Sequence, residues 1–148
     1  MAPGVSIVDV KILSDSGSGS ISGLIAGINW AMIDHNQNPG QKSVGNMSIG
    51  AAGTITSLNN AVNSAVDAGI IMAVAAGNSN DNACNRSPAG ASMALTVASS
   101  GKSDEKSYFS SWGSCVDLFA PGAGIYSAAA GTTSSVIKNT GTSMVSLQ

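Results

Sequence analysis

Ile70 to Ala76 is an unbroken apolar run of strand length, Ile-Ile-Met-Ala-Val-Ala-Ala, closed by Gly77-Asn78. A strand with one face in water alternates apolar and polar residues, whereas a strand covered on both faces has no reason to. This one stretch therefore demands a sheet with covering layers on both sides. Leu95 to Ala98 and Val116 to Phe119, the latter before a Pro121-Gly122 turn, repeat the pattern on a smaller scale. Val5 to Leu13, an apolar stretch with β-branched residues, and Ser43 to Ile49 are further strand candidates.

Between these runs the period changes. Ile21, Leu24, Ile25, Ile28 and Met32 recur at helical spacing behind a Ser-rich start. Leu58, Ala61, Val62, Ala65 and Val66 mark a second helix, which Ser57 is expected to cap and Gly69 to stop. Strand and helix thus alternate, which predicts an α/β fold with a mostly parallel sheet. Neither an internal repeat nor a domain boundary interrupts residues 1–148. A domain of this length buries about 70% of the surface its unfolded chain exposes, enough for one core.

Composition narrows the function classes. Apolar residues make up 43% and charged residues 9%, which excludes a solvated, disordered chain. Net charge is −2 and the six Lys and Arg are scattered singly, so no basic face can follow a phosphate backbone or an anionic lipid surface. Nucleic acid is excluded as a partner. The apolar runs fall far short of the roughly 20 residues of a membrane helix, and no membrane span is expected. Met1-Ala2-Pro3-Gly4 has no basic or apolar character of a secretory signal. Cys84 and Cys115 read by themselves as two inert buried thiols, and their spacing leaves a bridge open. Ser14 to Ser20 has the composition of a linker, but its position between a strand and a helix is where α/β proteins keep ligand-contacting loops.

Three segments carry chemistry: Val74-Ala75-Ala76-Gly77-Asn78, Ser110-Ser111-Trp112-Gly113-Ser114-Cys115-Val116-Asp117-Leu118-Phe119-Ala120-Pro121-Gly122, and Gly141-Thr142-Ser143-Met144. Taken alone, Gly141-x-Ser143 is a helix N-cap signal and Asn78 a turn residue after a strand. In this order and spacing the three resemble the subtilase family of serine proteases (peptidase family S8), in its proteinase K-like branch. The likeness covers nearly the whole chain and begins at Ala2-Pro3-Gly4, which resembles the strand start after the family's histidine helix.

The resemblance implies a subtilisin-like three-layer α/β fold, incomplete at both ends, and a serine endopeptidase acting on polypeptides without a catalytic cofactor, monomeric when complete. Ser143 is then the nucleophile, exposed at a tight turn after Gly141 and Thr142, which are small enough to let a peptide approach, and Asn78 donates to the oxyanion. Ser48-Ile49-Gly50 and Ala75-Ala76-Gly77 wall the pocket for the residue before the cleaved bond, with broad specificity and apolar preference over charged. Gly17-Ser18-Gly19, with Ile21, is the edge to which substrate adds as a strand. Cys84 and Cys115 match a family disulfide, which implies an oxidising, extracellular compartment. Asp117 matches the carboxylate ligand of a structural calcium, with the backbone carbonyls of Ser92 and Ala94 as its partners.

The pattern also fails in places. A subtilase triad runs Asp, His, Ser along the chain, so its first two members would precede residue 1. The one histidine, His35 in Met32-Ile33-Asp34-His35-Asn36-Gln37, is read as a solvated helix-end residue. After Ser143 the chain has Met144-Val145-Ser146-Leu147-Gln148 where the family continues with Pro-His and a long buried helix. The expectation is a fragment, inactive by itself, with the inner faces of several strands uncovered. A non-catalytic subtilase remnant that binds peptides or complements a separate Asp-and-His chain is the alternative. A nucleotide-binding reading of Gly17-x-Gly19 and Gly23 fails on glycine spacing and on the missing acidic residue.

Overall fold

The computed structural model describes residues 4–129, 131–132 and 134–146. Ser20 caps the first helix, α1 (Ile21–Gln37), by accepting from the Gly23 amide at 3.0 Å. Strand β1 (Val44–Met47) and the short β2 (Ala51–Ala52) follow, then α2 (Thr56–Asp67) and the apolar run as β3 (Ile71–Ala75). A short β4 (Arg86–Ser87), β5 (Leu95–Ser100), β6 (Leu118–Pro121) and a hairpin of β7 (Ile125–Ala128) and β8 (Val136–Asn139) complete the order. Ser143 sits in a single 3₁₀ turn, Thr142–Met144.

The central sheet has the order β1-β3-β5-β6 and every pair is parallel. Its register sets Met47 beside Val74 and Ala75 beside Val97, so the carboxyl ends of β1, β3 and β5 come out at one rim. Helices α1 and α2 pack on each other, and Leu24, Ile28, Leu58, Val62 and Ala65 bury themselves with Met47, Met72 and Val74. A second, smaller cluster is built of alanines, Ala76, Ala83, Ala89 and Ala98, with Val116 against it. Alanine at these positions lets loop backbone approach the sheet closely.

Several expectations need correction. Val5 to Leu13 forms no strand: Ile7 is 90% exposed, and only Val10 and Ile12 press on α1 beside Gly27. A strand needs a ladder partner, and the outer edge of β1 has none among the described residues. Ser57 does not cap α2, because it lies inside the helix. Its N-cap is Ile55, whose backbone N–H donates to Ser87 Oγ at 2.8 Å. Gly69 does end that helix, in the left-handed region at φ 99°. The inner strands are not laid bare either. β3 and β5 are buried beyond their first residues, but the edge strand β6 is not: Leu118 and Phe119 are 39% and 48% exposed, and so, to a similar or greater degree, are the apolar strand starts Val44, Ile71 and Leu95 and the hairpin's Tyr126, Val136 and Ile137. The small residues of β5 are buried by other means: Ala98 packs into the alanine cluster, and Ser99 is bonded by Ser107 and Ser110 from the loop that follows the strand. The Ala2-Pro3 part of the resemblance lies outside the described residues.

Cys84 and Cys115 are bridged, with Cα atoms 5.3 Å apart, and the bond closes a separation of 31 residues. A loop of this size is worth about 3 to 4 kcal/mol in the chain-entropy account of cross-links. Urea unfolding in reductant, or of the double variant Cys84→Ser/Cys115→Ser, should show a loss of about that size relative to the oxidised protein.

Candidate active site

Strand β3 ends by turning sharply through Gly77, whose φ of 109° suits glycine alone. A Cβ there would stand 3.0 Å from both Arg86 Cδ and Ser111 Oγ. The turn delivers Asn78 to the buried Thr142, 64 residues further on. The Asn78 Oδ1 accepts from the Thr142 backbone N–H at 2.8 Å and from its hydroxyl at 3.0 Å, and the Gly77 N–H donates to the same hydroxyl at 3.2 Å. With its oxygen so engaged, the carboxamide has its other end, Nδ2, as a donor without a partner among the described residues.

The turn that carries Ser143 is anchored at both sides. The Gly141 N–H donates to the Gly122 carbonyl just past β6 at 2.9 Å. Ser143 Oγ donates to the Ser48 carbonyl at 3.1 Å, while Ser48 Oγ donates back to the Ser143 carbonyl at 3.0 Å. Ser143 therefore touches a carbonyl, not a proton acceptor of useful basicity. Thr142 does more than stay small beside the nucleophile: it is the residue that orients Asn78.

These contacts enclose a cavity of about 250 Å³. Ser48, Ile49, Gly50, Ala75, Ala76, Gly77, Asn78 and Ser143 all line it, so the two expected pocket walls, the donor and the nucleophile meet around one space. Ser79, Arg86, Ser87, Ala89 and Thr142 complete the lining among the described residues. A second hollow of about 280 Å³ lies under the strand starts. Its lining, Val66, Gly69, Ile70, Ile71, Met72, Met93 and Leu95, holds no nucleophile or titratable group.

Other expected site residues lie elsewhere. Gly17, Ser18 and Gly19 belong to an exposed turn closed by the Ser14 N–H on the Ser18 carbonyl at 2.8 Å, and do not line the cavity. Ile21 opens α1 and packs against the core. His35 does lie in the last turn of α1, but it is not solvated. It is half-buried, with Nδ1 2.9 Å from Ser43 Oγ and its ring against Gly69, tying the end of α1 to the start of β1.

Asp117 Oδ2 accepts from the Thr96 backbone N–H at 2.7 Å, which fixes the carboxylate beside the start of β5, while Oδ1 has no hydrogen-bond partner among the described residues. Ala94 directly precedes that strand, and Ser92 sits in the turn before it, its hydroxyl 3.4 Å from Asn63 Nδ2. No group of three or more His, Cys, Asp or Glu side chains gathers among the described residues. A cation at Asp117 would have to draw on backbone carbonyls, a donor set that suits calcium and no softer metal.

A parallel α/β sheet with a serine on a tight turn and an asparagine at the rim of its strands defines a class, and the comparisons give it a family. The chain belongs to the subtilase family: the Peptidase S8 family profile matches residues 1–146. It is 44% identical to cerevisin of Saccharomyces cerevisiae over 99% of this chain and 24% of that protein. It is 50% identical to alkaline serine exoprotease A of Vibrio alginolyticus over 86% of this chain and 23% of that one. Among solved structures it matches a cold-adapted subtilisin-like serine proteinase with a TM-score of 0.80 and 46% identity, covering 91% of this chain and 47% of that one. The chain thus spans about a quarter of the length of these curated relatives.

Sequence reasoning passed over one cluster behind the pocket. Arg86 donates from Nε and Nη2 to the Asp81 carboxylate at 2.7 to 2.9 Å, and Ser111 Oγ donates to the same group at 2.7 Å. The Arg86 hydrogen bonds first, and that of Ser111 second, lower the Asp81 pKa from 3.8 to about 2. No spacing signal announces the pair, since its two members reach each other only across a folded loop. A carboxyl whose pKa is depressed by folding stabilises the fold above its unfolded value and loses that contribution as pH falls toward the folded one. Acid titration of stability, followed by circular dichroism, should therefore fall more steeply between pH 3.8 and about 2 for the native protein than for Asp81→Asn.

Proposed function

We propose that this chain supplies the nucleophile, the oxyanion donor and the substrate pocket of a serine endopeptidase. The observation that carries the reading is the grip of Thr142 on Asn78. It turns the amide Nδ2 into a prepositioned donor at a cavity that Ser143 also lines. Ser143 Oγ would attack the carbonyl of a bound peptide, and Asn78 Nδ2 would donate to the oxygen as it becomes negative, where such a hydrogen bond strengthens. The alanine and glycine walls give room for an uncharged side chain before the cleaved bond. Gly17-Ser18-Gly19, with Ile21, would guide the polypeptide by main-chain pairing.

The proton on Ser143 needs an acceptor, and the Ser48 carbonyl cannot serve. The only histidine of the sequence is committed to Ser43, so the base must be an imidazole from outside these 148 residues. By itself the chain should hydrolyse peptides little or not at all. A second reading, a peptide-binding module without catalysis, is favoured by that same Ser143–Ser48 hydrogen bond, which stores the hydroxyl away from any base.

The setting is part of the proposal. The Cys84–Cys115 bridge supports an oxidising, extracellular compartment. The protein would act as a monomer on polypeptides and without a catalytic cofactor. No described helix is long and apolar enough to cross a membrane. A structural calcium would be held by Asp117 and the carbonyls of Ser92 and Ala94, bracing the start of β5 against the loop before β6.

Two measurements check this. With the sequence joined to a subtilase Asp-and-His segment, a fluorophosphonate should phosphonylate Ser143, its Oγ displacing fluoride from phosphorus, and Ser143→Ala should abolish labelling. Asn78→Ala should slow peptide turnover by about 100- to 1,000-fold, the loss known for removing this donor in subtilisin. A joined protein that folds and labels elsewhere, or not at all, would sink the endopeptidase reading. For the calcium, a free concentration about 100 times Kd should stabilise by about 3 kcal/mol, lost on chelation and absent in Asp117→Asn. An unfolding curve indifferent to chelator would remove calcium from the proposal.

A further inference from the structure

Arg86 is the only charged residue in the lining of the candidate pocket. Its stem lies over Gly77, with Cδ 3.0 Å and Nε 3.4 Å from where a Gly77 Cβ would stand, and its side chain is 20% exposed. The partner carboxylate of Asp81 is 45% exposed and takes no part in the lining. The positive member of the pair thus belongs to the cavity wall and the negative member does not. A second cation stands behind the same loop, where Lys106 Nζ donates to Asn80 Oδ1 at 3.0 Å and to the carbonyls of Ser107 and Ser110. Asp81 consumes Nε and Nη2, and the third guanidinium nitrogen, Nη1, has no partner among the described residues.

We propose that Arg86, held by Asp81, determines pocket specificity: it disfavours a cationic side chain before the cleaved bond and admits uncharged and anionic ones. The inference rests on the reading of this cavity as the substrate pocket. A charge inside a partly desolvated cavity acts on an incoming charge with an effective dielectric well below that of water. Asp81 offsets part of that field and holds the guanidinium against Gly77, so a lysine or arginine side chain would enter against a net positive wall. A glutamate would meet the spare Nη1 donor instead. The pair lies on the segment from Asn78 to Arg86, outside both the Ser48-Ile49-Gly50 and the Ala75-Ala76-Gly77 walls, and sets charge preference separately from pocket size.

Direct binding to the full chain tests this without requiring turnover. Isothermal titration with Ala-Ala-Ala-X amides, X being Leu, Glu or Lys, should give measurable binding for Leu and Glu and about tenfold weaker binding for Lys, the order expected for like charges several ångströms apart. High salt should narrow the Lys deficit. Arg86→Gln should bring Lys and Glu to within about twofold of each other. Asp81→Asn, which leaves the guanidinium unbalanced, should widen the gap in favour of Glu. Because the two variants move the ratio in opposite directions, a shared folding defect cannot imitate the result. Equal binding of Lys and Glu by the native chain, or a ratio unmoved in both variants, overturns the role of Arg86 while the pocket reading stands. Failure of all three peptides to bind, Leu included, overturns the pocket reading and the inference with it.

Discussion

The site depends on one junction, where Thr142 clasps Asn78 and Gly77 at the end of β3. Three hydrogen bonds join segments 64 or 65 residues apart, two of them at the hydroxyl and one at the backbone N–H of the fully buried Thr142, where an unmade bond would cost the desolvation of each group left over. The junction decides which end of the Asn78 amide is spent on structure and which is available to a substrate. It also seats the serine turn against the sheet rim, with Gly141 held by Gly122 beyond β6 and Ser143 held by Ser48 beyond β1. Three strand ends therefore converge on one turn, Gly141 to Ser143, and the parallel register that brings them to a common rim is the precondition.

Behind this junction the loop that follows Asn78 is strapped down from outside. The Asn80 N–H bonds to the Phe109 carbonyl, Trp112 bonds to both Asn80 and Asp81 through ring and backbone, and the Ala83 N–H returns to the Trp112 carbonyl. The disulfide and the Asp81–Arg86–Ser111 cluster lock the same two segments further along. An oxyanion donor works by being in place before charge develops, so rigidity in its loop serves catalysis as well as stability. The strap uses surface-accessible polar contacts and one covalent bond because the alanine cluster beneath it is too small to supply much apolar burial.

Much of the architecture was legible in the chain. The continuous apolarity of Ile70 to Ala76 announced a strand covered on both faces, and β3 is the buried centre of the sheet. Helical spacing from Ile21 to Met32 found α1 behind its Ser-rich start, and the structure shows Ser20 to be the cap. The motif residues Ser143 and Asn78 and both pocket walls do surround one cavity. What misled was local patterning without its partner. Val5 to Leu13 has strand composition but no ladder to join, and Ser57 has cap chemistry but lies one residue inside the helix.

The order of apolar runs and helical periods determined the α/β class, and the three motifs determined the family, because both are properties of residues close together along the chain. Only the tertiary structure decided that Thr142 orients Asn78, that Ser143 bonds to Ser48, that His35 serves Ser43, and that Arg86 with Asp81 stands at the pocket wall. Each of these is a polar contact made across folded segments, and a hydrogen bond satisfied over a distance of a few ångströms leaves no periodic trace in the sequence. Hydrophobic burial writes itself as pattern, whereas polar pairing is settled by the fold that burial builds.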